Sequence, residues 1–230
     1  ADHIICISQS TKRDLMQYYD VEATQVSVVP LAANDIFFQP VEESQLDYGH
    51  STVDHEYILF VGPRSGYKNF YRFIRAYSID KYLMSQFVVV CAGGGDLTKA
   101  EAEFLMLQHV PLGRVICVQC NDVELKHLYR KASCFVYPSL YEGFGIPLLE
   151  AMACGCTVVS SSTSSMPEVL GDTGFLCDPT DIDSIRLAIN SAINSHFSSN
   201  DSSIKGIKRA SKFTWRETAT KTLNCYRSLT

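Results

Sequence analysis

An α/β fold built on a doubly wound parallel sheet is what this 230-residue sequence predicts, and three observations point there. Short β-branched and apolar runs alternate with longer stretches of helical period, the strand–helix–strand order of βαβ units. Several of the runs, FVVVCA at residues 87–92 among them, are apolar throughout, as strands buried on both faces must be. Turn-forming residues follow the runs directly: GPRSG after Val61, GGG after Ala92 and PSLYEGFG after Tyr137.

Taken in order, the strands are expected at residues 3–7, 26–30, 57–61, 87–92, 115–118, 134–137, 157–160 and 174–177. Helices are expected at 9–19, 69–82, 99–109, 122–131, 146–154, 165–170, 182–194 and 215–229. Residues 1–30 form a strand, a helix and a strand ahead of the main sheet. Residues 31–55 are polar and mostly aperiodic, and read as a linker. The large domain then runs over 56–212, with a polar loop at 196–203, and a last helix occupies 213–230. Asn200-Asp201-Ser202 matches a glycosylation sequon, which the cysteine usage marks as a chance match.

Composition removes several classes of function. There are 20 Lys and Arg against 25 Asp and Glu, a net charge of −5, so neither nucleic acid nor an anionic surface is an expected partner. Apolar runs are strand-sized, far below the ~20 residues of a membrane span. The nine cysteines are Cys6, Cys91, Cys117, Cys120, Cys134, Cys154, Cys156, Cys177 and Cys225. Most lie inside apolar runs, where a thiol is a small hydrophobe, and a reducing compartment follows. Cys117-x-x-Cys120 has no second pair at zinc-like spacing, so no metal is expected. Because the chain begins at Ala1, directly before an apolar strand, it reads as a piece of a longer protein.

In an open α/β sheet, ligands bind beyond the carboxyl ends of the strands, so the functional residues are expected in the post-strand loops. After the third strand, Gly62, Pro63 and Gly66 make a tight turn, and Arg64 and Lys68 stand at the start of a helix. Two cations there oppose the macrodipole unless an anion joins them, and a pyrophosphate suits an Arg–Lys pair. The alternative is a solvated loop. GGGDL after the fourth strand does not complete G-x-G-x-x-G, since Thr98 stands where the last glycine belongs. Asp122 is the expected cap of the next helix, and His127 lies on that helix's surface.

The richest loop is YEGFGIPLLEAMACG, which carries Glu142 and Glu150 with seven residues between them. Gly143, Phe144 and Gly145 form a hinge, and Ile146-Pro147 starts a helix with proline in its first turn. Glu150 lies one turn in. The N–H groups of Phe144, Gly145 and Ile146 are free donors. Two acceptors and several donors make a cup for a hydroxyl-rich ligand. A purely helix-stabilising role accounts for Glu150 alone, not for Glu142 or the hinge. Ser165-x-x-Glu168 is read as a capping box.

YEGFGIPLLEAMACGCTVV together with VGPRSGYKN resembles the family-4 glycosyltransferases of the GT-B fold, whose signature is a glutamate, seven residues and a second glutamate. The resemblance implies one Rossmann-like half of a GT-B fold, the donor half, with residues 1–30 the tail of an acceptor domain that precedes it. It implies that Arg64 and Lys68 neutralise the diphosphate and that Glu150 takes the ribose hydroxyls. Glu142 and the N–H groups from Phe144 to Ile146 would hold the sugar, and the backbone at Val118 and Gln119 would face the base, with Gly62 and Gly143 shaping the loops. The implied reaction is retaining transfer from a GDP- or UDP-sugar, GDP-mannose first among them, without a metal or other cofactor. The acceptor is a glycan or a lipid-linked saccharide engaged through the N-terminal domain. A cytoplasmic location follows, at the inner face of the membrane for the full-length protein. Two alternatives stay open: a non-catalytic nucleotide-sugar module and an epimerase-like enzyme.

Overall fold

The computed structural model describes residues 1–40, 55–198 and 201–229. Two sheets are present, and every strand pair in both is parallel. The smaller holds β1 (Ile4–Cys6) and β2 (Val26–Val28), joined through α1 (Gln9–Tyr18). The larger has six strands: β3 (Tyr57–Val61), β4 (Val88–Ala92), β5 (Val115–Val118), β6 (Cys134–Tyr137), β7 (Val158–Ser161) and β8 (Phe175–Cys177). Their spatial order is β5-β4-β3-β6-β7-β8. The chain therefore leaves β3 toward one edge, returns to the other side of β3 and proceeds to the opposite edge. That reversal between β3 and β6 is the topological switch point, where loops diverge and leave a crevice.

Burial explains which strands are apolar throughout. β4 and β6, on either side of β3, are buried at every position, whereas the edge strands β5 and β8 are not. Alternate residues of β3 serve the two faces. Tyr57 and Leu59 pack with α5 (Asp122–Lys131), α6 (Ile146–Ala153) and α7 (Met166–Leu170). Ile58 and Phe60 face α2 (Phe70–Ser78), α3 (Lys81–Gln86), α4 (Lys99–Leu107) and α8 (Ile182–Ser198). The remaining helices are α9 (Asp201–Ala210) and α10 (Trp215–Arg227).

All eight expected strands form, within one or two residues of their expected ends. Several other expectations need correction. The helix expected at 69–82 is two helices, because the carboxylate of Asp80 takes the N–H groups of Tyr82 and Leu83 and starts α3 there. The polar loop at 196–203 gives way to helix: α8 runs to Ser198 and α9 begins at Asp201. Asn200 of the sequon lies outside the described residues. Of the linker, residues 31–40 belong to the core instead. A 3-10 turn at Asp35–Phe38 buries Phe37 edge-on against Tyr129, with ring centroids 6.1 Å apart. The rest of that linker, 41–54, lies outside the described residues. Asn121, not Asp122, caps α5, its side chain taking the N–H groups of Val123 and Glu124. All nine cysteines are free, and six of them are buried.

Candidate active site

Loops from both sides of the switch point build the site. β3 ends at Val61 and is followed by Gly62, whose backbone (φ +112°) is one that side chains rarely adopt. A Cβ there would stand 3.6 Å from Lys68 Cε, an ordinary contact, so it is the backbone conformation that calls for glycine. A 3-10 turn at Gly66–Lys68 follows, closed by Asn69 in the left-handed region (φ 63°) that asparagine tolerates. The buried amide of Asn69 donates to the carbonyls of Pro138 (2.9 Å) and Pro179 (2.7 Å). One side chain thus ties the loop after β3 to those after β6 and β8.

Lys68 is buried at the centre. Its ammonium donates to the Tyr137 hydroxyl at 2.8 Å and stands 2.8 Å from Glu142 Oε1. The ammonium pairs with this oxygen by charge, but its approach lacks hydrogen-bond geometry, and the buried oxygen has no hydrogen-bond donor. Burial and the charge of Glu142 push the Tyr137 phenol far above its ordinary range, so it stays neutral.

Clamped carbonyls hold the loop carrying Glu142. Ser164 Oγ accepts the Glu142 N–H (2.9 Å) and lies 3.1 Å from the Glu142 carbonyl. Ser165 Oγ lies 2.8 Å and 2.9 Å from the carbonyls of Glu142 and Phe144. Thr11 Oγ1 donates to the carbonyl of Gly143 at 3.2 Å. In a trans peptide the next N–H points opposite to the carbonyl, so these bonds aim the 143–145 N–H groups away from Thr11 and the serines. Among the described residues the N–H groups of Phe144, Gly145 and Ile146 take no protein acceptor. They are the orphan donors of α6, whose start is shaped by Gly145 at φ +103° and by the proline behind it. The capping box expected of Ser165 and Glu168 does not form. Ser165 is spent on the loop, and Glu168 accepts the N–H groups of Gln9 (2.9 Å) and Ser10 (3.3 Å) at the start of α1.

Glu150 lies on α6 with the Tyr129 hydroxyl donating to Oε2 at 3.1 Å. Burial pushes its carboxyl up to about 7, while that hydroxyl pulls the other way. The carbonyl of Val118 accepts the Gly93 N–H, which extends the β4–β5 ladder, and the Gln119 side chain is exposed beside Gly95. His127 is half-buried, with its pKa lowered by burial and then by Lys131 and Arg130.

Arg64 is where expectation and structure part. Its guanidinium is almost wholly buried, 3% exposed, and turned into the protein. Nε meets Glu101 Oε1 at 2.9 Å, and the terminal nitrogens meet the carbonyls of Gly93, Gly94 and Asp96. Burial works against the charge of Glu101, but hydrogen bonds from Arg64 and Thr98 hold its carboxyl below the ordinary range. The pair expected to face one anion is thus divided. Lys68 stands in the crevice, while Arg64 staples the glycine-rich loop to the first turn of α4. Pro63 intervenes between Gly62 and Arg64, and no spacing rule in the sequence signals the turn inward.

Sequence reasoning also missed Tyr137 and Asn69, and it read Ser165 as a helix cap. Tyr137 looks like one more apolar strand residue. Asn69 carries a usable signal, an asparagine just after a turn and before a helix. Among the described residues no group of three or more His, Cys, Asp or Glu could hold a metal ion.

A parallel α/β sheet thus carries a Lys–Glu pair across its switch point and free helix-start amides beyond its strand ends. Comparison with known proteins makes this particular. Residues 47–209 match the family model for glycosyl transferases group 1, and the chain belongs to that family. It is 28% identical over 240 residues to O-antigen chain mannosyltransferase B of Escherichia coli, covering 98% of this chain and 60% of that protein. It is also 28% identical over 248 residues to alpha-maltose-1-phosphate synthase of Mycolicibacterium smegmatis, covering all of this chain and 64% of the relative. Among solved structures, sucrose-phosphate synthase from Thermosynechococcus elongatus superposes with a TM-score of 0.82 at 25% identity, over all of this chain and 58% of that one. The sheet is that of the GT-B glycosyltransferases, and the chain spans less than two thirds of the length of these relatives.

Proposed function

We propose that this chain holds the donor of a hexosyl transfer: a nucleoside-diphosphate sugar, with GDP-mannose the first candidate and a UDP-hexose the second. The observation that carries the reading is the Lys68–Glu142 pair, which joins the two loops at the switch point and leaves Glu142 Oε1 buried without a hydrogen-bond donor. Lys68 faces the diphosphate in this reading. Negative charge grows on the departing diphosphate as the glycosidic bond breaks, and a pre-placed ammonium in a water-poor crevice stabilises it. Glu142 and the N–H groups of Phe144, Gly145 and Ile146 hold the sugar hydroxyls.

Glu150 takes the ribose hydroxyls, and the end of β5 at Val118 and Gln119 lies under the base. Arg64 acts from behind, fixing the glycine-rich loop rather than touching the anion. The likeness to a mannosyltransferase supports mannose as the transferred sugar. Transfer with retention, without a resident metal or other cofactor and to a glycan or lipid-linked saccharide, completes the reading. A chain with nine free thiols, most of them buried, fits a reducing cytoplasm. No helix among the described residues is long and apolar enough to cross a membrane.

Calorimetric titration of the chain with GDP-mannose, UDP-glucose, GDP and UDP tests this. Saturable binding of one nucleotide-sugar, weakened by Lys68→Ala by roughly 1.5–3 kcal/mol, the scale of a charged hydrogen bond, is the expected outcome. Binding of none of the four sinks the reading.

A further inference from the structure

The loop that carries Glu142 is held on its far side by the N-terminal unit of the chain. Two residues of the loop, Tyr141 and Gly143 on either side of Glu142, touch that unit. The Tyr141 hydroxyl donates to Asp14 Oδ2 at 2.6 Å, Glu142 is followed by Gly143 whose carbonyl accepts from Thr11, and Ile7 packs on Gly143. A Cβ on Gly143 would lie 3.2 Å from Ile7 Cδ1, so the contact is already close.

The start of α1 is itself anchored from the donor side. Ser8 Oγ caps the Thr11 N–H, while the Gln9 and Ser10 N–H groups go to Glu168. Glu168 sits on α7, directly after the two serines that clamp the same loop from its other side. The contacts close a ring: α1 to the loop, the loop to Ser164 and Ser165, α7 to α1. Ser8 satisfies one orphan N–H at the start of α1 and Glu168 takes two more from another element, so the Glu168 contact fixes where α1 begins relative to the loop.

We propose that the start of α1 positions the donor-sugar site, with Glu168 and Thr11 as its positioning residues. Glu168 sets the place of α1, and Thr11 sets the peptide plane at Gly143. Through them the unit fixes the side chain of Glu142 and the direction of the N–H groups at Phe144 and Gly145. The proposal rests on the donor-binding reading. Sugar recognition, but not diphosphate recognition, then depends on α1.

Two measurements on the full chain test it, with Thr11→Val, Thr11→Ser and Glu168→Gln. The first needs no nucleotide: amide hydrogen exchange in the 142–146 segment, read at the Glu142 N–H that Ser164 holds, quickens in Thr11→Val and Glu168→Gln and returns toward the native rate in Thr11→Ser. The second is the ratio of GDP-mannose affinity to GDP affinity, which falls roughly fivefold in Thr11→Val and Glu168→Gln, the effect of about one lost hydrogen bond, while GDP affinity holds. Unchanged exchange at 142–146 overturns the coupling whatever the ligand. Quickened exchange with an unchanged ratio, or with both affinities falling together, overturns the role in sugar recognition. If the native chain binds neither ligand, the donor-binding reading fails, and the exchange result then stands or falls alone as evidence for the coupling.

Discussion

Lys68 and Arg64 stand four residues apart with the same charge, yet their surroundings give them different work. Arg64 is enclosed with Glu101 and three carbonyls, so Arg64→Ala strands a buried carboxylate and should cost about 3–5 kcal/mol of stability, read by chemical denaturation. The Glu101 carboxyl is held below its ordinary range, so that contribution is present at neutral pH and lost as pH falls through its folded value. Lys68→Ala strands the buried Glu142 carboxylate in the same way and should also lower the denaturation midpoint, but unlike Arg64→Ala it should weaken donor binding in the folded protein. Glu150 makes a prediction of opposite sign in pH. Its carboxyl is raised to about 7 from 4.5, so the stability it contributes is full below the unfolded value and lost as pH rises through 7. Glu150→Gln should therefore be more stable than native at pH 8 and closer to it at pH 5, by thermal melts. If ribose hydroxyls donate to the charged form, as proposed, nucleotide affinity should fall as pH drops below 7, and Glu150→Gln should flatten that dependence. At this scale the sequence showed which residue types gather at strand ends. It did not show which of two cations turns inward, because that is decided by Glu101, a partner 37 residues away from Arg64.

Among the elements, the glycine hinge before α6 is the one on which the site depends most. Gly145 has φ +103°, and a Cβ there would stand 3.2 Å from Leu148 Cδ1. Gly145→Ala should therefore cost about 1–2 kcal/mol from backbone strain alone and weaken sugar binding more than nucleotide binding, checked by denaturation and titration. The strands were legible because two-sided burial writes itself as an unbroken apolar run, as in β4. α9 was not legible, because it packs through small residues. A Cβ on Gly206 would lie 3.5 Å from Met152 Cγ of α6, while Ile204 and Ile207 face outward. An apolar stripe is the usual signal of a packed helix, and here close backbone approach replaces it. Phe37, read as linker, had no periodic neighbours to mark its burial against Tyr129. The break between α2 and α3 was a cap signal at Asp80 hidden inside a helical pattern.

At the scale of the molecule, a single reversal of strand order makes the site. β3 and β6 are neighbours in space though 72 residues of chain separate Val61 from Cys134, so Lys68 and Glu142 meet only because the sheet is wound both ways from β3. Strand count and order of appearance were readable from the sequence. The pairing of these two side chains was not, and neither was the N-terminal unit's grip on the donor loop. On the proposed reading, the switch-point pair divides one ligand between two loops, with the diphosphate on Lys68 and the sugar on Glu142. The most direct measurement is the affinity of the native chain, Lys68→Ala and Glu142→Gln for both GDP and GDP-mannose. Lys68→Ala should weaken both ligands by about tenfold or more, and Glu142→Gln should remove only the advantage of the sugar nucleotide over GDP. If Glu142→Gln leaves that advantage intact, or Lys68→Ala leaves GDP binding unchanged, the division of the ligand between the two loops is wrong.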